Sequence, residues 1–244
     1  MSASSDIRRQ QFETTNWSVI NQLGGPDAEL ALAALCEQYW FPLYAYARSR
    51  VRDVHQAQDL TQGFFAHMLA KNSLRQAAPD RGRFRSFLLT AMKNFMTNDH
   101  IRENALQRGG GRTLISLDFE DGERHFGKAA VNNMSADRIY ERSWTLTLLG
   151  RVMDQLRAEF EQSGTVDRFD VLQPALSSTA GEFSYETIAG TLEMSETAAR
   201  QAASRLRKRY RELLKSEVSR TLEDSADVDD EIQRMFQSLE PERC

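Results

Sequence analysis

Apolar side chains along this chain recur at steps of three and four far more often than they alternate, a spacing that predicts helices rather than strands. Leu30, Leu32, Leu35, Tyr39, Leu43 and Tyr46 form the first stripe, which Pro42 is expected to interrupt. Ala57, Leu60, Phe64, Phe65, Met68 and Leu69 form a second, and Phe84, Phe87, Leu88, Ala91, Phe95 and Ile101 a third. These three predict one aromatic-rich helical core within residues 28–105. The run Arg108-Gly-Gly-Gly-Arg112 then breaks the pattern, and periodicity stays weak as far as Ser135, so 106–138 reads as a flexible linker. Inside it, Thr113-Leu-Ile-Ser-Leu117 has strand character but stands alone. Helical spacing resumes at Ile139, Trp144, Leu148, Val152, Leu156 and Phe160, and a short helix around Phe169, Leu172 and Leu176 is expected to stop at Gly181. A helical pair over 184–215 completes a second domain, 139–216. The predicted fold class is therefore all-α, with two small helical domains and a flexible connection. Residues 1–27 form an N-terminal extension, and 217–244 an acidic C-terminal tail containing an amphipathic helix.

Composition narrows the class further. No window approaches 18 consecutive apolar residues, so no membrane span is expected. The start, Met1-Ser-Ala-Ser-Ser-Asp6, lacks the basic and apolar runs of a secretion signal, which predicts a cytoplasmic protein. Cys36 and Cys244 give no disulfide framework. The histidines (His55, His67, His100, His125) share no ligand spacing with the cysteines or with one another, so neither a metal nor a cofactor is expected.

Net charge conceals a segregation that matters more. Arg75–Arg112 carries eight Arg/Lys against three acidic residues, and Ser195–Lys215 carries seven against two. Glu217–Cys244 reverses the balance, with nine acidic residues against three arginines. Two basic blocks on one chain read either as two nucleic-acid contacts or as solvated helix faces.

The second block has the finer pattern. Ser184 is a plausible N-cap for a helix with Tyr185, Ile188, Ala189 and Leu192 facing inward, Glu193-Met194 makes a short turn, and Ser195 caps the next helix. On that helix Ala199, Ala203, Leu206, Tyr210 and Leu213 share one stripe, while Thr197, Arg200, Gln201, Ser204, Arg205 and Lys208 fall opposite. A DNA-reading helix needs small residues inward and long polar residues outward near its N-terminus. Arg can grip guanine bidentately and Gln adenine, whereas Lys208, Arg209 and Arg211 suit phosphates.

The segment Tyr185–Leu214 resembles region 4 of bacterial extracytoplasmic-function sigma factors, and the first domain agrees. Asp59-Leu-Thr-Gln-Gly-Phe-Phe-Ala-His-Met-Leu69 resembles their polymerase-clamp-binding helix, and Arg83–Asn98 their promoter-melting helix. The resemblance covers residues 28–105 and 140–215, in the family's order. It implies a non-enzymatic promoter-specificity subunit whose partners are core RNA polymerase (β′ and β subunits) and promoter DNA. Asp59, Gln62 and Phe65 would then meet the polymerase. Arg83, Phe87, Lys93, Asn94, Asn98 and Arg102 would open and hold the −10 element, a task suited to a basic track with amide and aromatic groups. Thr197, Arg200, Gln201, Ser204, Arg205 and Lys208 would read the −35 element. Phe87 stands where the family usually carries Trp. The linker acids Asp118, Glu120, Asp121 and Glu123 read either as a nucleic-acid mimic or as a solvated loop.

One departure bears on control. The family's acidic run before the clamp-binding helix is replaced by Gln56-Ala57-Gln58-Asp59, and Gly63 stands where Glu is common. Some groups in the family are switched by a Ser/Thr protein kinase acting on a threonine there, so Thr61 reads either as a regulatory phosphorylation site or as a helix-surface residue. In the tail, Val228, Ile232, Met235, Phe236 and Leu239 share a face, expected to complete the C-terminal domain or to screen its basic helix. The alternative function is a free-standing helix-turn-helix regulator. A recombinase would need a strand-rich catalytic half, which the pattern lacks.

Overall fold

The computed structural model describes residues 28–70, 83–102, 117–129, 134–177, 184–222 and 227–240. Every regular element among them is helical: α1 (Ala28–Arg50), α2 (Val54–Ala70), α3 (Phe84–Arg102), α4 (Phe119–Ala129), α5 (Ala136–Gln162), α6 (Val166–Leu172), α7 (Pro174–Ser177), α8 (Tyr185–Thr191), α9 (Glu196–Ser219) and α10 (Val228–Leu239). The chain is all-α and divides into two compact units, Met1–Thr147 with Val218–Cys244, and Leu148–Glu217. None of the helices is long and apolar enough to cross a membrane.

The first unit is built on α1, α2 and α3. Tyr39 and Tyr44 from α1, Phe64 from α2, and Phe84 and Met92 from α3 are fully enclosed. Tyr39 meets Phe84 edge-on at 5.4 Å, and Phe64 meets Phe95 at 5.8 Å, so aromatic edges join the three helices alongside buried Leu43, Leu60 and Leu88. Pro42 does not interrupt α1. Its neighbours Phe41, Leu43 and Tyr44 are all buried, and that packing outweighs the lost backbone hydrogen bond. Cys36 lies in this core, where burial and the nearby Glu37 charge push its thiol up to about 12, which leaves it unreactive.

The stretch read as a linker contains a packed helix. Asp118 caps α4 by accepting from the Asp121 amide at 3.0 Å. Phe119 then packs on Trp40 and Tyr44 at 5.8 and 5.2 Å. Glu123 accepts from the Tyr44 hydroxyl at 2.5 Å and from Arg48 Nε at 3.0 Å. The acidic residues expected in a loop thus build and anchor a helix. Thr113–Ser116 lie outside the described residues, as do the Arg108–Arg112 run and Gly181.

The second correction concerns the tail. The amphipathic helix α10 belongs to the first unit, not to the unit that precedes it in sequence. It docks beside the first half of α5. Val228, Glu231 and Met235 are buried, Ser238 Oγ lies 3.0 Å from Thr145 Oγ1, and Arg138 donates to the Glu240 carbonyl at 3.1 Å. α5 contributes its residues to Thr147 to this unit and the remainder to the second.

In the second unit α5 ends at Gln162, and Gly164, with a φ of +68°, closes a turn in which the Thr165 amide reaches the Phe160 carbonyl. Leu148, Val152 and Leu156 of α5 share the core with Phe169, Leu172 and Ala175. Ala199, Ala202, Ala203, Leu206, Leu213 and Leu214 of α9 complete it.

Gly122 marks where α4 crosses α1: a Cβ there would lie 3.0 Å from the Trp40 ring, which its aromatic neighbours hold in place. Gly127, on the same helix, faces open space. Gly122→Ala is expected to destabilise the chain by about 1–3 kcal/mol. Gly127→Ala should be neutral or stabilise by up to about 1 kcal/mol. Thermal melts of the two variants check this, and equal shifts would contradict the close crossing.

Candidate nucleic-acid interface

The second unit presents two helices joined by a tight turn. Ser184 precedes α8 with extended backbone and accepts from the Thr187 amide at 3.4 Å. Ser195 accepts from the Ala198 amide at 3.2 Å at the start of α9. Between them Glu193 takes a φ of +50°, the left-handed step that turns the chain within four residues. Ala199 and Ala203 are fully buried, letting α9 approach its neighbours closely. Arg207 pins the arrangement from the flank, donating to the Ala175 carbonyl at 3.0 Å and the Tyr185 hydroxyl at 3.2 Å.

The opposite face of α9 is open. Thr197, Arg200, Gln201, Ser204, Arg205 and Lys208 are all exposed. Arg200 lies over the Tyr185 ring at 4.4 Å and forks onto Glu196. Both contacts are surface ones, so a nucleic acid can displace them at little cost. Arg209, expected at phosphates, is instead held by Glu159 at 2.6 Å and by Glu212.

In the first unit the basic block behaves differently. Among the described side chains of α3, the exposed ones are Ser86, Thr90, Asn94 and Thr97, all uncharged. Phe87 is half-buried and stacked on Phe84 at 6.0 Å. Lys93 pairs with Asp137 at 2.6 Å. Arg85 is buried: its Nε contacts Glu141 at 2.8 Å, its Nη1 contacts Glu231 of α10, and its guanidinium lies 4.3 Å over the Trp144 ring. Its backbone carbonyl accepts from the Tyr140 hydroxyl at 2.9 Å. Glu231 also faces Arg83 Nε at 2.7 Å, in a skewed geometry that leaves Oε2 without a hydrogen bond. Asn98 and Arg102 fall on α3, with their side chains outside those described.

Sequence reasoning therefore missed the acidic partners Asp137, Glu141 and Glu231. A signal existed for Glu231, which sits three residues after Val228 and four before Met235, on the apolar face of α10.

On α2 the exposed row is His55, Asp59, Gln62 and Ala66. Phe65 is not on it: the side chain is buried in the core, in contact with Phe64 at 5.7 Å. Thr61 is not on it either. It is fully buried, and its hydroxyl donates to the Ala57 carbonyl at 2.8 Å. Both belong to the helix face that meets the core, which overturns the reading of Thr61 as a helix-surface residue. Gly63 has a packing role, because a Cβ there would lie 3.3 Å from the Phe95 ring.

Residues 35–106, which span most of α1 and all of α2 and α3, match the family model for sigma-70 region 2. The match covers under a third of the chain and likens that part to region 2 of the sigma-70 family. No curated protein and no solved structure matches the chain.

Thr61→Glu is expected to cost on the order of 3 kcal/mol by burying a charge. Thr61→Val, which keeps the shape and loses one hydrogen bond, should cost about 1 kcal/mol. Denaturant unfolding of the two variants distinguishes them, and a Glu variant as stable as wild type would place Thr61 at the surface after all.

Proposed function

We propose that this chain is a promoter-specificity subunit of bacterial RNA polymerase, of the extracytoplasmic-function type, acting in the cytoplasm without catalytic chemistry of its own. The observation that carries the proposal is the pairing of a region-2-like helical unit with a second unit whose capped helix exposes an arginine- and glutamine-bearing face. A free-standing regulator has no use for the first unit.

In this reading the exposed row of α2, with Asp59 and Gln62, docks on the polymerase β′ subunit, and the second unit adds a contact to β. α9 lies in the major groove of −35 DNA. Gln201 and Arg205 meet base edges, Thr197 and Ser204 add short polar contacts, Arg200 exchanges Glu196 for guanine, and Lys208 meets phosphate. The open face of α3, centred on Asn94, takes an unpaired base of the −10 element, with Phe87 beside it as a wedge and Asn98 and Arg102 one and two turns further along. Arg83 and Lys93 reach the strand's backbone once their carboxylate partners give way. Kinase control at Thr61 would require α2 to open first, since the hydroxyl is enclosed. Simple docking of a kinase on the folded helix is not part of the proposal.

The chain should co-purify with core polymerase and support run-off transcription on genomic templates, and absence of any core binding would overturn the proposal. Asp59→Arg should weaken core binding at least about tenfold through like-charge repulsion at the contact. Arg205→Ala should cost about 1–3 kcal/mol on promoter DNA and relax one base position, whereas Lys208→Ala should weaken all sequences alike. Footprinting and salt-dependent binding measurements read both.

A further inference from the structure

The C-terminal helix holds the basic start of α3 in a grip that resembles what DNA phosphates would provide. Glu231, fully buried, presents one carboxylate to both Arg83 and Arg85. These two arginines open α3, within the stretch proposed to meet the −10 strand, and Lys93 further along is occupied by Asp137. A carboxylate bridging two guanidinium groups is the closest protein counterpart of a backbone phosphate.

The seam that holds α10 is also incompletely satisfied. Two buried side-chain atoms on it lack a hydrogen bond, Arg142 Nε on α5 and Glu231 Oε2 on α10, while Arg142 Nη1 donates to the Leu239 carbonyl. Of the apolar residues on α10, Val228 and Met235 are buried, whereas Phe236 is 45% exposed. α10 is thus held by few fully buried apolar side chains and mainly by polar contacts: the Glu231 carboxylate, the Thr145–Ser238 pair, and the arginines that reach its C-terminal carbonyls. Permanent core elements, such as α1 with its row of enclosed aromatics, are anchored otherwise.

We propose that α10 is an intramolecular cover of the −10 surface: Glu231 occupies Arg83 and Arg85 in the free chain and is displaced when single-stranded promoter DNA is engaged. The cover and the DNA compete for the same guanidinium groups, so DNA affinity is reduced by the fraction of chains that are closed. The proposal rests on the reading of α3 as a DNA-engaging helix.

The test measures fluorescence anisotropy of a labelled single-stranded DNA of mixed sequence with the full chain at low salt. Glu231→Gln, which keeps the shape and removes the charge, should bind about tenfold more tightly than wild type. Its affinity should also fall more steeply with salt, because more phosphates are neutralised. A lock gives the converse measurement and does not depend on the tail folding differently. Thr145→Cys with Ser238→Cys, in a Cys244→Ser background, places two thiols where hydroxyls now lie 3.0 Å apart. Oxidised, this variant should lose binding, and reductant should restore it. Equal binding by wild type, Glu231→Gln and the oxidised lock would overturn the cover and leave the α3 reading intact. No binding by any of them would overturn both.

Discussion

A guanidinium removed from water must be neutralised and hydrogen-bonded, and much of the first unit is organised by that requirement at Arg85. The residue lies between two core positions, Phe84 and Leu88, so its side chain is carried inward with them. Two carboxylates meet it, Glu141 from α5 and Glu231 from α10, and the Trp144 ring covers its face. Neither helix is near α3 in sequence. Removing one member of such a buried set typically costs about 3–5 kcal/mol, because the remaining charge is left uncompensated. This is the physical reason a helix that follows the second unit in the chain is returned to the first.

The two basic blocks, similar when counted by charge, meet opposite fates. In the first, Arg83, Arg85 and Lys93 are matched by acids from α5 and α10, and the exposed side chains described on α3 are neutral. In the second, alanines line the inward stripe of α9, and the long polar residues remain outside. The charges at its flank, Arg207 and Arg209, are tied down by neighbouring helices. The second surface is open as it stands. At the first, carboxylates already occupy the cations.

Helix α2 shows the same division on a smaller scale. Its exposed row is short and lightly charged, while Thr61, Phe64 and Phe65 turn into the core. Gly63 is close enough to Phe95 that the glutamate common in the resembling family would need that ring to move. The missing charge at Gly63 therefore has a packing cause.

Much of the fold was legible because it depends on local chemistry. The three- and four-residue spacing gave the helices of both units, and the serines before α8 and α9 cap them as their positions suggest. The outward residues of α9 follow from the stripe alone, since a single helix's inward face fixes its outward one. Tertiary structure decided what lies far apart in sequence. Glycines and acids at 118–127 read as a loop until Trp40 and Tyr44 supply the surface on which α4 folds. Thr61 and Phe65 look like candidates for a surface until α2 is rotated against its neighbours. Glu231 reads as a dipole-stabilising residue of a first turn until Arg85, 146 positions away, is found beneath it. Periodicity records which residues of a helix face inward. It does not record what meets them there, and in this protein that pairing determines which charges remain available to a partner.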